Sequence, residues 1–239
     1  MRAQFTILSA VTLLMMLLAV SIATTNAMLR MRRIQEQVLP IPIVNAFDDY
    51  PRLLLTSLAR ACEEAYTALT VDGESLSKSY ARAQNVADQV VNEWVRAFIE
   101  VHAGYGVRIN ASVTIDFQWD EGDEWWSKVN GEFSINASAL GYQVNKLTRN
   151  AGIIIENFEL EKVGKKTYHI KLTGISLHEE VGVPLNALKI FVDGKETSWE
   201  HYYFGNGRNQ YSISVKKIKN YVEMYLEYNG LIVRVYWRA

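Results

Sequence analysis

Cys62 is the only cysteine in the 239-residue chain. No intrachain disulfide can form, so stability must come from a packed core. Neither sign of charge is in useful excess. With 25 Lys and Arg against 26 Asp and Glu, the formal net charge is −1, which removes the electrostatic basis for nucleic-acid binding. Several chemical signatures are also missing. There is no HExxH pair, no Gly-x-Ser-x-Gly elbow, no glycine-rich phosphate loop and no EF-hand spacing. The histidines His102, His169, His178 and His201 are dispersed, so zinc is not expected. Cys62 falls on an apolar helical stripe, where an inert buried thiol is expected rather than a nucleophile. No internal repeat or low-complexity tract occurs. The chain is therefore read as non-enzymatic and without a cofactor, although a glycosidase-type carboxylate pair is a three-dimensional fact that spacing alone does not decide.

What is present begins at the N-terminus. Residues 3–29 carry no charge and residues 5–23 are almost wholly apolar. At about 1.5 Å per helical residue this run reaches the roughly 30 Å of a bilayer's hydrocarbon core. The chain thus opens with a membrane anchor or an export signal, and the remainder, of ordinary soluble composition, must fold on one side of the membrane. Arg30, Arg32 and Arg33 follow the run, and counting positive charges would place that remainder in the cytoplasm. A lone hydrophobic segment starting at residue three argues for export, which is the reading adopted. A conventional signal peptide ending at Ala27 is the other processing scheme.

The opening MRAQFTILSAVTLL resembles the class III signal peptides of archaeal type IV pilin-like proteins, where a basic and a small residue precede a Gln that starts a hydrophobic helix. The resemblance implies cleavage between Ala3 and Gln4 and retention of the helix as an anchor or for bundling with like subunits. Leu8 stands where many members carry Glu, which favours a membrane-retained surface protein over a major filament subunit.

Residues 38–51 (VLPIPIVNAFDDYP) hold three of the four prolines, and missing amide donors with fixed φ angles predict an extended spacer there. Beyond it, Leu54, Leu58, Ala61, Ala65 and Ala68 share one helical face. Leu76, Tyr80, Ala83, Ala87, Val90, Trp94, Ala97 and Val101 then keep a strict 4-3 spacing. This predicts a helical hairpin broken at Asp72-Gly73, packed on itself or on a β domain, with an oligomerising coiled coil as the sharper reading. From Val107 the period falls to two. Residues 107–119 and 129–137 alternate apolar and polar around DEGDE, predicting a hairpin over 107–138. Further strands are expected at 153–160, 168–177, 188–192, 211–215, 222–228 and 231–237, joined by VGKK, VDGK, FGNGRN and YNG turns. The predicted class is α+β, an N-terminal transmembrane helix and helical hairpin followed by an antiparallel β-sandwich. The divisions are 1–33 anchor or class III signal, 34–104 proline-containing spacer and helical hairpin, and 105–239 sandwich. The stretch ISLHEEVGVPLNALKIFVDG is similar to immunoglobulin-like repeats of bacterial and archaeal surface proteins, in which a Gly-x-Pro-Leu turn links two strands; this implies an Ig-like sandwich.

The most unusual local composition is WDEGDEWW at 119–126. Asp120, Glu121, Asp123 and Glu124 can supply oxygen ligands to Ca²⁺, or the segment can be a solvated hairpin tip with tryptophans packed across the strands. Trp119, Asp120, Asp123, Trp125 and Trp126, with Tyr202, Tyr203 and Phe204 nearby in character, are the candidate ligand or partner surface. Two N-glycosylation sequons, at Asn110 and Asn136, fall on the polar phase of the hairpin. The expected partners are the membrane, through the N-terminal helix, and like subunits or other surface proteins. The expected location is a single-pass position in the cell membrane with the bulk outside. The alternative is a ligand-binding or carbohydrate-active surface protein using the 119–126 loop.

Overall fold

The computed structural model describes residues 41–239, of which Pro42–Ala239 form one compact unit. The anchor, the Ala3/Gln4 cleavage site and the start of the expected spacer lie outside the described residues. Among the described residues no helix is long and apolar enough to cross a membrane.

Among the described residues two helices come first, α1 (Ile41–Thr70) and α2 (Leu76–Val101). The spacer expected over 38–51 is corrected here, because its described part, from Ile41 onward, is helical. Pro42 sits in the first turn, where its missing N–H has no intrahelical acceptor to satisfy. Pro51 costs one interior hydrogen bond, and the cost is offset by a buried face already in register through Ile43, Ala46, Tyr50, Leu54 and Leu58. At the helix–helix turn the Arg82 guanidinium gathers three carboxylates, Glu64 (Nε···Oε1 2.6 Å), Asp72 (2.7 Å) and Glu74 (3.3 Å). The strict 4-3 seam expected in α2 also requires correction. Its buried residues are Ser79, Ala83, Ala87, Val91 and Phe98, while Val101 is 74% exposed. A straight helix of 3.6 residues per turn drifts away from a seven-residue repeat by about 20° per heptad, so the inward face moves from Ala87 to Val91 and Phe98.

The β region contains eleven strands: β1 (Arg108–Gln118), β2 (Trp125–Ala137), β3 (Tyr142–Lys162), β4 (Thr167–Ser176), β5 (Val181–Gly182), β6 (Asn186–Val192), β7 (Lys195–Glu196), β8 (Trp199–Tyr203), β9 (Arg208–Ser214), β10 (Tyr221–Tyr228) and β11 (Leu231–Arg238). The pairings between them are antiparallel and make two sheets. The larger runs β1-β2-β3-β4-β9-β8 with β5 on β4, and the smaller runs β11-β10-β6-β7. The architecture is α+β and sandwich-like, as expected from the shift in period. The predicted β1–β2 hairpin is present, with Ile109↔Ile135 and Phe117↔Ser127 in register.

One core serves both sheets and the helices. Phe133 of β2 meets Tyr50 (ring centroids 4.9 Å) and Phe47 (5.8 Å) of α1, and Tyr66 of the same helix meets Tyr225 of β10 (5.1 Å). On the edge strand β1, the Gln84 side chain of α2 stands in for a neighbouring strand. It donates to the Val113 carbonyl (3.0 Å) and accepts from the Ile115 N–H (2.9 Å), satisfying backbone groups that an edge otherwise leaves open. The 182–185 link from the larger sheet to the smaller passes through a close approach of Gly174, Gly182 and Gly207. A side chain on Gly182 or Gly207 would strike backbone atoms. Asn209 secures the link. Its amide accepts from Leu185 N–H (2.9 Å) and donates to the Val183 (3.0 Å) and Gly207 (2.7 Å) carbonyls, which makes the His201 Nε2 at 2.8 Å a donor.

The sheets and α1 meet at Ser127, which is fully buried among apolar residues of β2. Its hydroxyl accepts from the Trp119 indole (2.9 Å) and donates to the Ile232 carbonyl of β11 (2.6 Å). Ser127→Ala strands both partners and is expected to lower the unfolding free energy by about 2–3 kcal/mol in urea titrations; a change under ~0.5 kcal/mol would show that this junction does not hold the sheets together.

Candidate functional site

The 119–126 segment closes the β1–β2 hairpin, and each of its three tryptophans spends its indole N–H on the fold. Trp119 donates to Ser127, Trp125 to the Asp120 carbonyl (2.8 Å) and Trp126 to the Asp116 carboxylate (2.9 Å). Trp119 and Trp125 are 0% exposed. Both are candidates for a ligand or partner surface on sequence grounds, and burial corrects that assignment, since neither ring has a face to offer. Phe117 (4.8 Å) and Tyr80 (6.1 Å) flank Trp119, and Phe158 (5.8 Å) flanks Trp125. Trp126 stays half-buried with the Lys128 ammonium 4.0 Å from its ring centroid.

The acidic residues of the loop are all exposed. Glu121 makes a parallel bridge with Tyr236 on the open side of β11 and pairs with Arg238 at 3.7 Å. The Trp119 carbonyl accepts from Arg234 (2.9 Å), whose guanidinium also meets Glu223 (2.7 Å). Burial works against the Arg234 charge, and Glu223 outweighs it, holding the group above its ordinary value. Among the described residues no group of three or more His, Cys, Asp or Glu is placed to hold a metal ion, so Asp120, Glu121, Asp123 and Glu124 do not converge as calcium ligands. The loop is a clip that fastens the hairpin to the smaller sheet.

Asp123 and Glu124 do reach a surface groove of about 380 Å³, shared with Glu156, Asn157, Phe158 and Trp237. Its shape comes from a bulge in β3. Glu156 pairs with Thr173 but Glu159 with Lys171, so one extra residue is accommodated, with Asn157 at φ 55°. Phe158 is thereby brought to stack on Trp237 at 5.2 Å. A second groove, of about 490 Å³, lies on the larger sheet beside the same bulge, between Glu159, Lys171, Arg208, Gln210 and Phe204. Phe204 is 59% exposed, and Tyr202 and Tyr203 are exposed near it. The sequence reading misses Asn157, Phe158 and Trp237 as neighbours of the loop. The signal is there in the apolar phase, which slips from 153 and 155 to 158 and 160.

The sequon residues Asn110 and Asn136 are both exposed. Cys62 is fully buried, and burial pushes its thiol up to about 12, with the Ile232 backbone and the Ser127 side chain opposing. No protein-family model, curated protein or solved structure matches the chain.

Two outcomes are expected. Cys62 resists maleimide in the native protein at pH 8 and reacts once urea unfolds it. Because its folded value is raised, its contribution to stability is complete below the unfolded thiol's range and is lost as pH rises toward about 12; labelling of the native thiol at the unfolded rate would contradict this. Trp119→Phe should lower stability by about 2 kcal/mol, against no more than ~0.5 kcal/mol for Trp126→Phe. Equal losses in urea unfolding would refute the division between buried and surface tryptophans.

Proposed function

We propose that this chain is a membrane-tethered extracytoplasmic protein with a structural or interaction role, pilin-like at its N-terminus and non-enzymatic, whose β-rich domain meets like subunits or other surface proteins. One observation carries the reading. Only residues 30–40 separate the uncharged stretch from Ile41, and the first described helix is already part of the domain's core, with Ile43, Ala46, Tyr50, Leu54 and Leu58 buried. A domain organised around its first described helix suits a subunit that is held, and held against neighbours, through its N-terminal end.

The Ig-like element of the reading draws support from residues 182–185, which link β5 of the larger sheet to β6 of the smaller. The transmembrane element rests on the composition of residues 5–23. The alternative of a ligand-binding or carbohydrate-active protein loses two of its contacts with the burial of Trp119 and Trp125.

Intact mass and N-terminal sequencing of the protein from its native membrane test this function. A chain that starts at Gln4 and stays with the membrane through alkaline washing is the expected result. A start near Met28, with the protein released to the medium, would overturn the tethered reading.

A further inference from the structure

We infer that Asn136 carries an N-linked glycan, while the second sequon, at Asn110, stays bare. This rests on the extracytoplasmic reading, because glycan transfer to asparagine needs the domain on the side of the membrane where lipid-linked sugar donors are used.

Both sequons lie on one face. Asn110 pairs with Ser134 and Arg108 with Asn136 in the β1–β2 ladder, so the two asparagines are diagonal neighbours, about 7 Å apart. The face is polar across its strands, with Ser112, Thr114, Asn130 and Glu132 also exposed. The buried alternates of the same strands, Ile109, Val113, Val129 and Phe133, point to the core. Among the described residues nothing covers this face.

Local backbone separates the two sites. Asn110 lies inside β1, and the strand runs on through Ser112 to Gln118, so this sequon stays extended with its asparagine and serine side chains apart. Asn136 lies one residue from the end of β2, and a 3-10 turn follows at once over Ser138–Leu140. The Ser138 N–H donates to the Asn136 Oδ1 at 3.0 Å. This folds the sequon back so that its asparagine amide and its serine lie together, with Ser138 exposed. With Oδ1 holding the Ser138 N–H, the Asn136 side chain is fixed in an Asx turn.

In the transfer, Nδ2 of Asn136 attacks the anomeric carbon of an oligosaccharide carried on a lipid phosphate or diphosphate. The N–C bond forms as the C–O bond to phosphate breaks, the lipid phosphate leaves with the electron pair, and one Nδ2 proton passes to a base of the transferring enzyme. No oxidant or reductant takes part.

The test is intact mass and fragment mapping of the full chain from its native membrane, for the wild type and for Asn136→Gln, Ser138→Ala and Asn110→Gln. A parallel Lys165→Cys variant, in the exposed β3–β4 turn, is treated on intact cells with a membrane-impermeant maleimide. Expected is added sugar mass on the Asn136 peptide, complete loss of it in Asn136→Gln and in Ser138→Ala, and no loss in Asn110→Gln. The Ser138→Ala variant keeps Asn136 itself, so a folding defect at the asparagine is not mistaken for a missing acceptor. Sugar on Asn110 alone, or no sugar while the introduced thiol is labelled from outside, would overturn the proposal and leave the extracytoplasmic reading standing. An unmodified chain whose introduced thiol is protected in intact cells would overturn both.

Discussion

The Ser127 hydroxyl is the constraint on which the rest of the domain depends. A serine on the inner face of β2, with Val129, Phe133 and Ile135 on the same face, carries a desolvation penalty of a few kcal/mol unless its hydrogen bonds are made. It makes them to the Trp119 indole and the Ile232 carbonyl, groups that approach only when the hairpin loop is closed and β11 lies against β2. The two sheets could slide past each other at small cost if their contact were wholly apolar. A polar node with fixed partners removes that freedom and selects one register. Cys62 brings α1 to the same point, so helix, hairpin, loop and smaller sheet are specified together.

This explains why the most distinctive residues of the chain serve structure first. The WDEGDEWW segment has the look of a binding loop, but its backbone bridges to β11, its acidic Glu121 reaches Arg238, and two of its three indoles are committed inside. The open surfaces are the groove that Asp123 and Glu124 share with the β3 bulge, the second groove on the larger sheet, and the exposed Tyr202, Tyr203 and Phe204.

Much of the fold was legible because period is a local property. The change from helical spacing to alternation near Val107 marks the start of the β region, and the β1–β2 hairpin follows from alternation on both sides of a turn. What was not legible was set by tertiary contact. Pro42 and Pro51 read as breakers because their cost is local, whereas the burial that overrides it comes from strands far along the chain. The short strands β5 and β7 are too brief for any pattern, and the Trp-Glu-His-Tyr-Tyr order of β8 gives no sustained apolar–polar alternation. At the candidate site, sequence singled out the tryptophans by composition but could not say which way each ring turns. One residue of register decides between core and surface, as Trp125 and Trp126 show in adjacent positions.

The two ends of the larger sheet are finished differently. At β1 the amide of Gln84 occupies backbone groups that another strand would need, whereas β8 ends the sheet on the other side among the described residues. A sheet with one stoppered rim has only one side on which to grow. Were two larger sheets to pair at β8, the Gln84 amide would stand in the way of a further strand adding at β1 of the same sheet.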